Sequence, residues 1–376
     1  MQPVKHIVYC IAATHNSGGM ERVLANKANY LARRGYEVSI ITTDQQGKPP
    51  YFELDHRIRQ YDLDINYMEN GVQGLLQKIR TYSIKQRLHK TRLTQLLKSL
   101  SADVVISMFD HEVSFLYKIY EGSRKVLEIH FSRFKRMQYG RKGMWGMVDR
   151  WRSAWDRKVA QKYNAFVVLT EEDKRYWGKM PNISVIPNAN SFVPSDQARL
   201  IDKRAIAVGR FDYQKGFERL IDIWGKIHQK HPDWRLDIFG HGPLQDVLQQ
   251  QITGMRLDKV IRLCPPEKDI ERVYLRSSML LMTSRYEGLP MVLLEAQSCG
   301  LPLVSYACKC GPRDVIEDGI NGFLIEEGDS ETFVKQVSCL INNDELRQRM
   351  GNAGKQMAGK FSEDRIMAAW IELFHR

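Results

Sequence analysis

The sequence predicts an α/β protein made of two Rossmann-like domains, whose parallel sheets are expected to face each other across a central crevice. Short apolar runs alternate with amphipathic stretches along almost the whole chain, which is typical of parallel strands covered by helices on both faces. The chain has 376 residues, more than one hydrophobic core usually supports. A polar stretch without periodicity, residues 188–203, separates two similar halves and is the expected hinge.

The predicted strands are the apolar runs that end in polar or glycine-containing turns. They cover residues 6–12, 37–42, 103–108, 125–131, 165–170 and 184–187 in the first half, and 205–208, 235–239, 260–263, 279–283, 303–306 and 322–325 in the second. We expect an N-terminal domain over residues 1–190 and a C-terminal domain over 204–361. The segment 362–376 is expected to form a helix that packs back toward the N-terminal domain.

Two glutamates, Glu287 and Glu295, bracket seven residues directly after the predicted strand 279–283. Gly288 and Pro290 mark a tight turn, and Pro290 suits the first turn of the helix that follows. Glu287 then lies at the carboxyl end of the strand and Glu295 about a turn and a half into the helix, so both can face one crevice. Carboxylates accept hydrogen bonds from paired sugar hydroxyls, although an isolated pair at this spacing also fits ordinary helix-surface charges.

Two further loops carry groups that suit phosphate. After the strand 205–208, Arg210 and Lys215 stand five residues apart around a glycine-bearing turn and could straddle a diphosphate. After the first predicted strand, Gly18 and Gly19 open a helix whose backbone N–H groups can approach a phosphate closely. The G-x-G-x-x-G dinucleotide spacing is absent, and each loop alone also fits a turn that merely joins strand to helix.

In this order the motifs resemble glycosyltransferase family 4, the retaining nucleotide-sugar transferases of the GT-B fold, over nearly the whole chain. The resemblance implies that Glu287 contacts the donor sugar, that Glu295 contacts the ribose, and that Arg210 and Lys215 neutralise the diphosphate leaving group. It implies no protein nucleophile, because the departing phosphate helps to deprotonate the acceptor hydroxyl. The remaining donor-binding positions that it implies are Gly18, Gly19, Gly240, Pro266, Gly288, Leu289 and Pro290.

A histidine after a strand of the first domain commonly borders the donor sugar in this family. His130, in the predicted strand 125–131, is the best match and joins Glu287, Arg210 and Lys215 as a candidate catalytic residue. His111 offers a competing loop histidine, and the choice between the two stays open. Without the resemblance, a lone histidine beside a strand is more often structural.

The predicted activity is the retaining transfer of a hexose or N-acetylhexosamine from a nucleotide sugar to a glycan acceptor, lipid-linked, in surface polysaccharide biosynthesis. A UDP-linked donor is favoured and GDP-mannose stays open. No cofactor is expected, and because no D-x-D pair suited to holding Mg²⁺ on a diphosphate is recognised, transfer is predicted to be independent of metal. The alternatives are a nucleotide-sugar epimerase or phosphorylase on the same scaffold, or a basic nucleic-acid-binding protein that would leave these motifs unexplained.

The net charge of +12 is concentrated in two stretches of the first half. Residues 78–98 hold seven Lys and Arg and no acid, and residues 133–158 hold nine against Asp149 and Asp156. An anionic membrane surface is the expected partner through both stretches, a solvated basic helix is the alternative, and nucleic acid is not expected. The second stretch interleaves its cations with side chains that suit a lipid headgroup boundary, namely Phe134, Met137, Tyr139, Met144, Trp145, Trp151 and Trp155.

No apolar run approaches the roughly 20 residues of a membrane helix, and the N-terminus enters a strand without a signal-peptide pattern. We therefore expect a cytoplasmic protein, peripheral at the inner face of the cell membrane. The six cysteines are scattered, several in apolar runs, as expected of buried thiols in a reducing compartment. Cys308 and Cys310 lack a second pair, which favours a loop over a zinc site.

Overall fold

The structure is a computed structural model, and it describes residues 4–67, 75–133, 135 and 143–376. The chain divides into two units: the first comprises Met1–Pro187 and Ile366–Arg376, and the second comprises Asn188–Arg365. Residues 188–203 carry no helix or strand.

The first unit contains a parallel sheet of seven strands within the described residues, in the order β3-β2-β1-β4-β5-β6-β7. Its strands are β1 (His6–Cys10), β2 (Glu37–Thr42), β3 (Arg59–Asp62), β4 (Val104–Ser107), β5 (Arg124–Glu128), β6 (Ala165–Val168) and β7 (Ile183–Val185). Its helices up to the end of the sheet are α1 (Gly19–Arg33), α2 (Leu75–Leu100), α3 (Gly143–Ala160) and α4 (Glu171–Trp177).

The second unit contains a parallel sheet of six strands in the order β10-β9-β8-β11-β12-β13. Its strands are β8 (Arg204–Val208), β9 (Arg235–Phe239), β10 (Ile261–Cys264), β11 (Met279–Met282), β12 (Leu303–Tyr306) and β13 (Gly322–Ile325). The helices that follow β8 onward are α5 (Phe217–Lys230), α6 (Gln245–Gly254), α7 (Ile270–Leu275), α8 (Met291–Ser298), α9 (Pro312–Val315), α10 (Ser330–Asn342), α11 (Asp344–Met357) and α12 (Glu363–His375).

Strand order reverses once in each sheet, between β1 and β4 in the first and between β8 and β11 in the second. Loops that leave the carboxyl ends of such neighbouring strands diverge and leave a crevice for ligands. The sequence motifs follow β1 in the first unit and β8 and β11 in the second. The topology therefore places them at the ligand-binding edge of each sheet.

The helix α12 anchors onto the first unit from Ile366 onward. Arg124, the first residue of β5, donates hydrogen bonds from Nη1 to the carbonyl oxygens of Leu373 and Phe374, at 3.0 and 3.1 Å. These carbonyls belong to the last turn of α12, where a cation also opposes the negative end of the helix dipole.

The predicted pair of parallel α/β sheets is confirmed, and most predicted strands differ from the observed ones by one to three residues at their ends. The strand β3 was not predicted. It pairs only with β2 at the edge of the sheet, and three of its four residues are exposed, so its sequence carries no apolar run.

None of the helices in the described ranges is long and apolar enough to cross a membrane. None of the six cysteines, which all lie in the described part of the chain, forms a disulfide; Cys10, Cys299, Cys308 and Cys310 are buried, and Cys339 is exposed.

Candidate active site

A cation from one loop and a carboxylate from another meet at the switch point of the second sheet, which is the place where its strand order reverses, between β8 and β11. Lys215, in the loop after β8, places Nζ 2.6 Å from Oε1 of Glu287, in the loop after β11. Both side chains are largely buried. The structure thus brings together two predicted site residues that lie 72 positions apart in the chain.

Close backbone packing fixes this pair. Gly216 has a φ of +63°, and a Cβ there would lie 2.6 Å from the carbonyl oxygen of Thr283, just after β11. The hydroxyl of Thr283 donates to the carbonyl oxygen of Gly216 at 3.0 Å. Only glycine fits both the left-handed backbone and the contact, so the two loops are held against each other next to Lys215 and Glu287.

Gln214 completes the surroundings of Glu287, and the sequence reasoning did not identify it. Its Nε2 donates to Oε2 of Glu287 at 3.2 Å and to the carbonyl oxygen of Tyr286 at 3.0 Å. Each carboxylate oxygen of Glu287 therefore faces a nitrogen donor from the β8 loop. Burying a carboxylate is costly unless donors such as these pair with its oxygens.

Arg210 lies in the same loop but is displayed to solvent. Its side chain is 71% exposed, and Nε stands 3.8 Å from Oδ2 of Asp212. An exposed ion pair at this distance holds a guanidinium weakly, so Arg210 can turn toward an incoming anion at little cost.

Glu295 is buried within α8 and already accepts hydrogen bonds at both oxygens. The hydroxyl of Ser191 donates to Oε1 at 2.6 Å, and the hydroxyl of Tyr274 donates to Oε2 at 3.0 Å. These two partners were not anticipated, because they come from a loop and from the short helix α7. A ribose at this carboxylate would join or replace one of these hydroxyls.

The turn between Glu287 and α8 is packed by a second loop. A Cβ on Gly311, which has a φ of +97°, would lie 2.6 Å from Cδ of Pro290 and 2.8 Å from the carbonyl oxygen of Gly288. Leu289 is buried beside them. Pro290 is the N-cap of α8 and not a residue of its first turn, which corrects the expectation by one position.

Gly240 and Pro266, two of the predicted donor-binding positions, lie in the loops that follow β9 and β10. A Cβ on Gly240 would come within 1.9 Å of the carbonyl oxygen of Gly209, so this glycine lets the loop after β9 touch the loop after β8. Gly240 N donates to the carbonyl oxygen of Cys264 at 2.9 Å. Pro266, two residues past β10, is exposed.

In the first unit, Gly18 is the N-cap of α1 and Gly19 is its first residue. A Cβ on Gly18 would lie 2.2 Å from Oε2 of Glu21, so the glycine makes room for a carboxylate that folds back over the helix start. Burial raises the pKa of Glu21. A phosphate approaching this helix start would meet Glu21, a neighbour that the glycine pattern alone did not reveal.

His130 follows β5, and its side chain, which is 8% exposed, lies beside Glu128, the last residue of that strand. Its Nε2 lies 3.2 Å from Oε1 of Glu128, whose other oxygen accepts a hydrogen bond from Lys27 Nζ at 2.6 Å. The competing His111 follows β4 and stacks on the ring of Tyr67, with centroids 3.8 Å apart. The two histidines thus follow neighbouring strands, and only His130 has a buried ion pair behind it.

Helix α3 shows a reversed pattern of burial. Its polar Asp149 and Ser153 are buried, whereas Trp151 and Trp155 are 66% and 47% exposed and stack on each other at 6.1 Å. Of the other aromatic and methionine positions in the basic stretch, Phe134, Met137 and Tyr139 lie outside the described residues, as do the side chains of Met144 and Trp145.

Helices α2 and α3 cover the same face of the first sheet, since Leu93 and Leu97 of α2 and Val159 and Ala160 of α3 belong to one buried cluster. Both helices display cations on their outer surfaces. Exposed examples are Arg80, Arg87, Lys90, Lys98, Arg150, Arg152 and Lys158.

Within the described residues, no group of three or more His, Cys, Asp or Glu side chains is arranged to hold a metal ion. The chain does contain a D-x-D spacing, Asp62 and Asp64, which the sequence reasoning overlooked. It lies at the end of the edge strand β3, where Asp62 accepts a hydrogen bond from Thr42 at 3.2 Å and Asp64 accepts one from Asn66 at 2.5 Å.

Comparison with known proteins agrees with this geometry. The family model described as "Glycosyltransferase Family 4" matches residues 17–189, and the one described as "Glycosyl transferases group 1" matches residues 195–357. The amylovoran biosynthesis glycosyltransferase AmsD of Erwinia amylovora is 28% identical over 381 residues, which cover 98% of this chain and 99% of the relative.

A second relative is a Campylobacter jejuni alpha-1,4-N-acetyl-D-galactosaminyltransferase named for a GalNAc-alpha-(1->4)-GalNAc-alpha-(1->3)-diNAcBac-PP-undecaprenol substrate. It is 24% identical over 373 residues, which cover 96% of each chain. Among solved structures, S. aureus TarM in complex with fondaparinux, alpha-GlcNAc-glycerol and UDP superposes with a TM-score of 0.80 at 17% identity, covering 99% of this chain and 100% of that one.

The two family models together cover every described strand of the two sheets except β1, and relatives and structures match almost from end to end. The predicted family and the predicted GT-B fold are therefore confirmed. The chain is a glycosyltransferase and belongs to glycosyltransferase family 4.

Proposed function

We propose that this enzyme moves a hexose or N-acetylhexosamine, with retention of configuration, from a UDP-sugar to a lipid-linked glycan acceptor in surface polysaccharide biosynthesis. The observation that carries the proposal is the meeting of Lys215 and Glu287 at the switch point of the second sheet, with Arg210 exposed in the same loop. Two cations and a buried carboxylate at one sheet edge match the two ends of a nucleotide sugar, a diphosphate and a ring with hydroxyls.

Each residue has a chemical task in this proposal. As the bond between the anomeric carbon and the phosphate oxygen breaks, negative charge builds on the diphosphate, and Arg210 and Lys215 stabilise it. Glu287, held between Lys215 and Gln214, accepts hydrogen bonds from sugar hydroxyls and orients the ring. The acceptor hydroxyl attacks from the face that the phosphate leaves, and its proton passes to the departing phosphate oxygen.

The proposed transfer needs no metal, because the side chains of Arg210 and Lys215 supply the positive charge that a Mg²⁺ ion would otherwise bring to the diphosphate. The choice of UDP draws on the TarM complex, which contains UDP. Gly240 and Pro266 lie where the base would be read, and Glu295 where the ribose would bind.

The lipid-linked acceptor is inferred from the surface of the first unit and from the undecaprenol-linked substrate in the name of one relative. The exposed Trp151 and Trp155 on α3, together with the cations of α2 and α3, suit an anionic lipid surface. Each cation that reaches such a surface contributes about 1 kcal/mol.

Thermal unfolding with UDP, GDP, ADP and TDP, without added metal, tests donor recognition. We expect UDP to raise the midpoint by about 2 °C or more and the other nucleotides to do less. Arg210→Ala should abolish the UDP shift while leaving the nucleotide-free midpoint unchanged, because its side chain is exposed. Arg235→Ala is the matched control, since Arg235 is exposed at the opposite, amino edge of the same sheet.

A selective shift with GDP would replace the proposed nucleotide, and no shift with any nucleotide would contradict the proposed donor class. Release of UDP from a panel of UDP-sugars then separates the alternatives. A transferase releases UDP only with an acceptor, a phosphorylase requires inorganic phosphate, and an epimerase changes the sugar without releasing UDP.

A further inference from the structure

A lysine lies in the core of the first unit, on the inner face of α1. Lys27 is 5% exposed, and its Nζ donates a hydrogen bond to Oε2 of Glu128 at 2.6 Å. Glu128 is 1% exposed and ends β5. Burying two charges is costly unless they pair closely, so a contact of this kind has to be retained by the fold.

The same carboxylate lies beside His130. Oε1 of Glu128 is 3.2 Å from Nε2 of His130, an ion-pair distance at which the ring angle does not make a hydrogen bond, so the two oxygens divide between the lysine and the histidine. Burial alone would raise the pKa of Glu128, but Lys27 and His130 together hold it at about 2. The carboxylate is therefore ionised at neutral pH and presents a fixed negative charge to one ring nitrogen of His130.

An aromatic ring from α12 covers the lysine. Nζ of Lys27 lies 3.6 Å from the centroid of the Trp370 ring, a favourable cation–π distance. Trp370 is itself buried, and Arg124 at the other end of β5 holds the last turn of α12. Strand β5 thus contacts α12 through its first residue and supports the Lys27–Glu128 pair through its last.

We infer that Glu128 is the positioning residue for His130, and that Lys27, covered by Trp370 of α12, holds Glu128 in place. The carboxylate fixes which ring nitrogen of His130 carries its proton and how the ring is turned, as carboxylates do behind functional histidines elsewhere. The helix α12 thereby becomes a functional part of the first unit. The catalytic consequence rests on the proposed function and on the family resemblance, which implies that His130 borders the donor sugar.

The test replaces the ion pair without leaving a buried charge unpaired. The double variant Lys27→Met with Glu128→Leu substitutes apolar side chains of similar size, an exchange that buried pairs often tolerate. The matched control is Lys125→Met with Glu121→Leu, which removes a second buried pair from the same strand region. Both doubles are also made in a His130→Ala background.

Two measurements are made on each protein: the ring-nitrogen NMR signals of His130, and kcat with the KM for the donor. In the parent we expect the proton on Nε2, facing Glu128. The Lys27/Glu128 double variant should show a mixture of protonation forms and lose about tenfold or more in kcat, with KM for the donor changed less than about threefold. In the His130→Ala background, the Lys27/Glu128 substitutions should not lower kcat any further.

The control double variant should leave the His130 signals and kcat as in the parent. An unchanged ring signal in the Lys27/Glu128 double variant, or an equal loss of kcat with and without His130, would overturn the inference. If the parent transfers no sugar from any donor, the proposed function fails, and the ring signals still decide whether Glu128 positions His130.

Discussion

Lys215 Nζ lies 2.6 Å from Oε1 of Glu287, which joins the loops after β8 and β11, the two strands at the switch point of the second sheet. The lysine proposed for the diphosphate is thus held by the carboxylate proposed for the sugar. The pair presents the charge that each half of a donor requires, at positions set by the backbone contact between Gly216 and Thr283.

The first prediction concerns this pair. Lys215→Met should lower kcat by two or more orders of magnitude, because loss of one such donor costs about 3 to 4 kcal/mol in the transition state. Steady-state kinetics with the donor identified by thermal unfolding provide the measurement. Lys226→Met is the control, since Lys226 is exposed on α5, and it should keep full turnover. A loss below tenfold in Lys215→Met would contradict the assigned role.

A second prediction compares two ways in which replacing a glycine by alanine can destabilise the fold: strain from a positive φ, and a steric clash of the new Cβ. Gly216→Ala should destabilise the second unit by about 3 kcal/mol or more, because it combines a φ of +63° with a contact of 2.6 Å to a carbonyl oxygen. Gly328→Ala, with a φ of +92° and open space, should cost about 1 kcal/mol. Gly254→Ala, with open space and no positive φ, should cost nothing measurable. Urea unfolding of the three variants gives the order, and equal costs at Gly216 and Gly328 would contradict the packing argument.

The third prediction concerns a buried acid. Burial, followed by the nearby Asp110, raises the pKa of Glu112 to about 8, and Ser107 donates a hydrogen bond to it at 2.5 Å. Between pH values of about 4.3, the ordinary pKa of a glutamate, and about 8, the native state keeps this proton and the unfolded chain releases it. The free energy of unfolding therefore falls as pH rises through this window. Glu112→Gln should therefore gain stability over the parent by a few kcal/mol on going from pH 5 to pH 8.

Asp329 provides a comparison for that experiment, because its pKa is lowered and the stability that it contributes should depend on pH in the opposite direction. Hydrogen bonds from Thr332, beginning with its backbone N–H, lower the pKa of this exposed N-cap carboxylate of α10. The stability that Asp329 contributes through its lowered pKa is present above the ordinary pKa and is lost as pH falls from that value through the lowered one. Asp329→Asn should thus be less stable than the parent at pH 7 and approach it at pH 3, as measured by urea unfolding. A constant difference for Glu112→Gln across pH would contradict the raised pKa.

The fourth prediction concerns the exposed tryptophans. Trp151→Ser with Trp155→Ser should lower co-sedimentation with vesicles containing anionic lipid at least about tenfold at low salt, because each ring can bury roughly 150 to 250 Å². The unfolding midpoint should not fall, since both rings already face solvent. Tyr120→Ser, which removes another exposed aromatic ring of the first unit, is the control and should bind as the parent does. Equal binding by all three proteins would remove the support for a membrane acceptor.

Much of the fold could be predicted because interior parallel strands are apolar along their whole length. Strands at 37–42, 235–239, 303–306 and 322–325 were predicted at their observed bounds. The edge strand β3 was not recognised because three of its four residues are exposed and only Tyr61 packs on the core, so the sequence at Arg59–Asp62 shows no period. Apolar patterning in a sequence indicates burial, and a mostly exposed strand has no such pattern.

The loops of the site were predictable, but the partners of their side chains were not. A parallel topology carries every strand's carboxyl end to one edge, which brings Lys215 toward Glu287 without knowledge of any side chain. The hydroxyls that bind Glu295 come from Ser191 and Tyr274, which lie 104 and 21 residues away and belong to no motif. Lys27 did leave a signal, because it occupies the buried position between Val23 and Leu31 in the helical period of α1. The roles of the site residues stay predictions.

The division of the chain into units bears on the order in which they mature. The second unit is one continuous segment, Asn188–Arg365, so its core can close as soon as that segment has left the ribosome. The first unit is interrupted: residues 1–187 emerge early, yet Trp370 and the last turn of α12, which cover Lys27 and receive Arg124, emerge after the whole second unit. During synthesis, the half of the enzyme that is made first is the half that is completed last.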